Sequence, residues 1–141
     1  MWLSVIMFRV IQESIISKWN FRMESLKKNE DFRKCYRTGR SYVNRDLVLY
    51  VCGNGLTRNR IGISVSKKVG NSVVRHRITR LIRESYRLHE HMFNSGLDMV
   101  VVARSRAKDA GYHRIEDALL KLAGKAGIYD QKSDDTDDKI L

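Results

Sequence analysis

Proline is absent from this 141-residue chain, cysteine occurs only twice, and acids are scarce beside bases. No apolar stretch approaches the ~20 uninterrupted residues that span a bilayer, because Arg9, Gln12, Glu13 and Lys18 break up the apolar N-terminal segment. Cys35 and Cys52 lie 17 positions apart without CxxC spacing. They exclude a disulfide framework or zinc ribbon and read as small apolar residues of a reducing compartment, with the cytosol expected. Catalytic constellations are missing too. There is no phosphate-cradling glycine loop, and the paired acids Glu30–Asp31 and Glu116–Asp117 sit at expected helix starts, where the dipole favours them. His89 and His91, two apart on one expected helix, cannot face a common metal, so the histidines read as surface residues and no catalytic or metal-binding residue is expected in the protein.

What is abundant is positive charge. Lys and Arg number 27 against 16 Asp and Glu, a net +11, while 43% of residues are apolar. The chain therefore folds around a core and is not a basic tail, and its partner should be a polyanion. Five of the acids crowd into residues 130–141 (DQKSDDTDDKIL), read as a solvated, disordered acidic tail. Residues 1–22 carry neither a basic region before their apolar stretch nor a small-residue cleavage site after it. The expectation is an extension from an upstream start, with Met23 opening a single domain over 23–129.

Within that domain, Asn29 reads as the N-cap of a short helix on which Phe32, Cys35 and Tyr36 recur at helical spacing until Gly39 stops it. Residues 46–52 (DLVLYVC) and 60–66 (RIGISVS), separated by Gly53, Asn54 and Gly55, read as a hairpin. The second segment alternates strictly: Ile61, Ile63 and Val65 against Gly62, Ser64 and Ser66. Its bare face suits either a closely packed helix or a ligand lying across the sheet. Ser72 to about His91 is a long helix with Val74, Ile78, Leu81, Ile82, Ser85 and Leu88 on one stripe. Between Lys67 and Arg87 lie seven bases and one acid, Glu84. Like charges at this spacing repel by a few tenths of a kcal/mol per pair, and five of the seven are Arg, whose planar fork bonds two phosphate oxygens at once. Contact with nucleic acid explains the pattern better than solvation. The apolar run DMVVVA (98–103) reads as a central strand, and Ile115, Leu119, Leu122 and Ala126 mark a last helix.

The blocks LKKNEDF (26–32), ISVSKKVGNSVVRHRITRLIRES (63–85) and DMVVVAR (98–104), in this order, resemble the protein subunit of bacterial ribonuclease P. The resemblance implies an α+β fold, a small α/β sandwich of order α-β-β-β-α-β-α whose first strand is short. That ribosomal-protein-like domain is expected to have a left-handed β-α-β crossover, although such units are right-handed in ~98% of proteins. It implies an RNA-binding cofactor of a ribozyme that removes the 5′ leader of precursor tRNA. The chemistry then belongs to the catalytic RNA and its Mg2+, and the protein itself holds no cofactor. Partners would be the catalytic RNA and precursor tRNA, not DNA or a membrane. Contacts to the catalytic RNA are implied for Lys67, Lys68, Asn71, Arg75, His76, Arg77, Arg80, Arg83 and Arg87. A leader cleft is implied for Phe32, Tyr36, Val48, Tyr50 and Ser64, where rings can stack on any base. Two positions depart from the family pattern: His76 stands where Asn is usual, and Thr79 where Lys is usual. The same plan also serves a ribosomal or other structural RNA-binding protein. On the ribozyme-cofactor reading, affinity for a single-stranded leader should fall with salt at a log–log slope near −0.7 per neutralised phosphate; a flat salt titration contradicts this reading.

Overall fold

The computed structural model describes residues 23–129, so the readings for residues 1–22 and 130–141 lie outside the described residues. The elements in chain order are β1 (Glu24–Ser25), α1 (Asn29–Thr38), β2 (Arg40–Val43), β3 (Leu47–Gly53), β4 (Arg60–Ser64), α2 (Ser72–His89), β5 (Leu97–Ala103) and α3 (Tyr112–Ala126). Short 3-10 turns cover Glu90–Met92 and Ser105–Asp109. The fold is α+β in the expected order, with the two-residue β1 added in front. The five strands form one mixed sheet in the order β1-β4-β5-β3-β2.

This order corrects the hairpin reading. β3 and β4 never touch: β5 lies between them, antiparallel to β3 and parallel to β4. The hairpin is instead β2–β3, where the Asn44 side chain accepts from the backbone N–H groups of Asp46 and Leu47 at 3.1 and 2.9 Å. Gly53, Asn54 and Gly55 open a longer crossover from β3 to β4, so their turn chemistry did not report strand pairing. β5, read as the central strand, occupies the middle of the sheet.

Alternation along the strands divides the sheet into two faces. Leu47, Leu49, Val51, Ile61, Met99, Val101 and Ala103 meet α2 and α3 in the main core. Ile78, Ile82, Ile115, Leu119 and Leu122 supply the helix side of that core and are almost completely enclosed. Tyr86, 1% exposed, also belongs there, although Leu88 was expected in its place. Phe93 draws Tyr86 inward, the two rings meeting edge to face at 5.1 Å between centroids. His89 is likewise more than a surface residue: its Nε2 lies 3.1 Å from Glu116 Oε2 and joins α2 to α3.

The other face carries only α1, which packs through Phe32 and Cys35 against Leu26, Val100, Tyr50 and Cys52. Lys28, not Asn29, is the N-cap residue of α1, without a side-chain cap bond. Gly39 ends the helix because there is no room for a side chain: a Cβ would stand 2.4 Å from the Cys35 carbonyl oxygen and 2.9 Å from that of Val51. A Cβ on Gly62 would stand 2.5 Å from the Phe32 ring, a side chain with somewhat more freedom to yield. Overpacking of this kind costs about 1–3 kcal/mol. In urea unfolding, Gly62→Ala should fall within that range, and Gly39→Ala at or above its upper end because its neighbours are backbone. Equal, negligible losses would mean that α1 does not need these close approaches.

Candidate nucleic-acid interface

Strand register sorts the face beneath α1 into three rows. Cys52, Asp98 and Arg60 form the first, Tyr50, Val100 and Gly62 the second, and Val48, Val102 and Ser64 the third. The first row is covered. Asp98, 3% exposed, receives the Arg60 guanidinium through two bonds of 2.9 and 2.7 Å and the Asn54 amide at 3.0 Å. Arg60 also reaches Asp31 of α1 at 3.5 Å, while Cys35 rests its thiol on the Asp98 carbonyl. Neighbouring Asp98 raises the Arg60 pKa, the bonded carboxylate outweighing desolvation. Over the second row Phe32 fills the space that Gly62 leaves free.

The third row is left half-exposed, and beyond it Val43 is 52% exposed on the paired position of β2. Tyr36, 40% exposed, stands at its border in an edge-to-face contact with Tyr50, ring centroids 4.9 Å apart. Burial pushes the Tyr36 phenol above its ordinary pKa, opposed by a hydrogen bond from Ser64. The five expected cleft residues are thus brought together, in unequal roles. Phe32 is packing against the sheet, while Tyr36, Val48, Tyr50 and Ser64 frame the open part. The close-packing reading of the bare Gly/Ser face therefore holds at Gly62, while Ser64 stays half-exposed beyond the helix. Val102 completes the floor, and α1 adds the exposed cations Arg33, Lys34 and Arg37. The sequence reading omitted these because it weighed charge only along α2; the strand parity of DMVVVA would have identified Val102.

On the opposite side of the molecule, the outer face of α2 exposes His76, Arg77, Arg80 and Arg83, with Arg75 and Arg87 half-buried. Lys67 and Lys68 are exposed on the loop leading in. A shallow groove of about 710 Å³ runs along Ser72, Val73, His76, Arg77, Arg80 and Glu84. Val73 adds an apolar spot, 74% exposed. Two of the expected RNA contacts have structural employment. Asn71 caps α2, its Oδ1 accepting from Val74 N–H at 3.0 Å. Arg77 donates to the carbonyl oxygens of Ala110 (2.8 Å) and Lys108, clamping the segment before α3. Thr79 turns its hydroxyl back onto the Arg75 carbonyl at 2.9 Å. Among the described residues no three His, Cys, Asp or Glu side chains are grouped to hold a metal, and no helix is long and apolar enough to cross a membrane.

Comparison with known proteins identifies the family and the fold. The family model described as Ribonuclease P matches residues 21–127. A ribonuclease P protein component from Lachnoclostridium phytofermentans is 60% identical over 100 residues, covering 71% of this chain and 86% of the relative. One from Clostridium botulinum is 53% identical over 105 residues, 74% of this chain and 95% of the other. The solved Staphylococcus aureus RNase P protein superimposes with a TM-score of 0.72 at 38% identity, covering 77% of this chain and all of that one. The Thermotoga maritima protein gives 0.67 at 27% identity, over 72% and 96% of the respective chains.

The division of labour among the arginines can be measured. Arg77→Ala removes two charge-assisted bonds and should destabilise the fold by about 1–3 kcal/mol. Arg80→Ala, at a solvent-facing position, should stay within about 0.5 kcal/mol. Thermal unfolding showing the reverse order would refute the assignment of Arg77 as a clamp.

Proposed function

As a member of the ribonuclease P protein family, to which this chain belongs, it is a protein component of that endoribonuclease, and we propose that it binds two RNAs on separate surfaces. The open third row, with Tyr36 and Tyr50 at its border, takes the unpaired 5′ leader of precursor tRNA. The exposed bases of α2 and its entry loop take the catalytic RNA. Hydrolysis of the phosphodiester is assigned to that RNA with its Mg2+; this chain's residues hold and orient. A cytoplasmic setting follows from that role.

The observation that carries the reading is the row of Val48, Val102 and Ser64 that α1 leaves half-exposed. A sheet face offering apolar contact, one hydroxyl and the face of an aromatic ring suits bases that have left a helical stack, since every base has a π-face and none is specified. Stacking on one ring is worth about 1–3 kcal/mol per base. Tyr36, 40% exposed, is the ring accessible for this. Phosphates of the same strand find Arg33, Lys34 and Arg37 along α1. On α2, His76, Arg80 and Arg83 project without the structural duties that occupy Asn71 and Arg77. His76 in place of the usual Asn adds a donor that is charged only when protonated, and Thr79, folded onto its own helix, contributes no charge.

Tyr36→Ala should weaken precursor tRNA binding by about 1–3 kcal/mol and leave mature tRNA, which lacks the leader, unaffected. Arg80→Ala with Arg83→Ala should instead weaken assembly with the catalytic RNA. Both are read by titrating labelled RNA against the protein at fixed salt, with cleavage at low magnesium as the functional check. Equal losses in both assays would rule out two surfaces.

A further inference from the structure

Two free thiols meet at the covered end of the cleft. Cys35, fully enclosed on α1, donates its Sγ–H to the Asp98 carbonyl at 3.6 Å, and Asp98 is the residue directly opposite Cys52 in the β3–β5 ladder. Cys52 packs in the same cluster as Cys35 and is half-buried. The Cys35 thiol is pushed up to about 12, first by burial and then by the charge and hydrogen bond of Cys52. No other cysteine exists in the chain to compete for either sulfur.

We propose that Cys35 and Cys52 form an oxidative modification site, closing to a disulfide that ties α1 to β3 and narrows the cleft between Tyr36 and the sheet. The oxidant is a hydroperoxide. The more accessible Cys52, as thiolate, attacks the terminal peroxide oxygen; the O–O bond breaks, the alkoxide takes up a proton and leaves as alcohol, and Cys52 becomes a sulfenic acid. Cys35 sulfur then displaces that oxygen, which leaves as water with the second thiol proton. Two thiols and one hydroperoxide give one disulfide, one alcohol and one water, so the two electrons lost by sulfur reduce the peroxide. Because a disulfide holds its sulfurs ~2.05 Å apart, far inside the van der Waals separation of two thiols, closure draws α1 toward β3. Tyr36, next to Cys35, moves with it. The high pKa of Cys35 keeps it protonated at rest, so the pair stays reduced until Cys52 has been oxidised.

The effect on binding rests on the leader reading above, whereas the bond itself does not. Full-length protein is treated with hydrogen peroxide and analysed by peptide mapping, and reduced and oxidised forms are titrated with precursor tRNA, mature tRNA and the catalytic RNA. The expected results are a Cys35–Cys52 linked peptide in the monomer, reversed by dithiothreitol, and about tenfold weaker precursor binding, equivalent to one stacked base. Mature tRNA and catalytic RNA should bind unchanged, and Cys52→Ser should abolish the peroxide response. Free thiols after treatment, Cys52 oxidised alone, or chains linked only to one another overturn the proposal, as does a linked protein with undiminished precursor affinity. If the reduced protein already fails to distinguish precursor from mature tRNA, the leader reading fails, and the peptide map still decides whether the site exists.

Discussion

β5 is hydrogen-bonded along both edges, and its side chains must serve two layers at once. Met99, Val101 and Ala103 close the large core beneath α2 and α3, while Val100 and Val102 face α1 and the cleft. A slip of one residue would exchange these sets and bury Asp98 among the aliphatic residues of the main core. Register is therefore fixed from both sides, and the three rows of the cleft face inherit their order from it.

Asp98 is the second fixed point. A carboxylate this enclosed is tolerated because Arg60 and Asn54 supply donors to it, and breaking such a pair typically costs about 3–5 kcal/mol. Arg60 extends the pairing to Asp31, and Cys35 touches the same strand, so the polar anchor also sets where α1 lies across the sheet. The helix then covers two rows and leaves the third half-exposed. The cleft is thus the remainder of a packing solution, open where a ten-residue helix runs out. On the other layer the arginines of α2 divide similarly, Arg77 holding the fold while Arg80 and Arg83 stay in solvent.

Much of this was legible in the sequence because local periodicity records burial. The stripes of α2 and α3, the central strand and the alternation of Ile61, Ile63 and Val65 against Gly62 and Ser64 all depend on neighbours along the chain. Pairing does not. Nothing in DLVLYVC or RIGISVS says that a strand from 97–103 inserts between them, so the nearest-neighbour hairpin was the wrong topology. The same limit applies to Arg77 and Asp98, whose partners are 31–33 and 38–44 positions away respectively. Charge counting registered Arg77 as one more base in a basic run, and Asp98 was read only as the first residue of the apolar run DMVVVA.

β4 ends at Ser64, on the open row, and Lys67 follows three residues later on the way into the capped start of α2. Three residues of extended chain reach at most about 10 Å. On the proposed two-surface reading, a strand resting on Ser64 and a polyanion gripped by Lys67 would be held at a separation that the backbone, rather than any flexible linker, dictates. Under that reading the protein would serve as a gauge, setting how far along its length a strand lies before it meets whatever the basic entry loop holds.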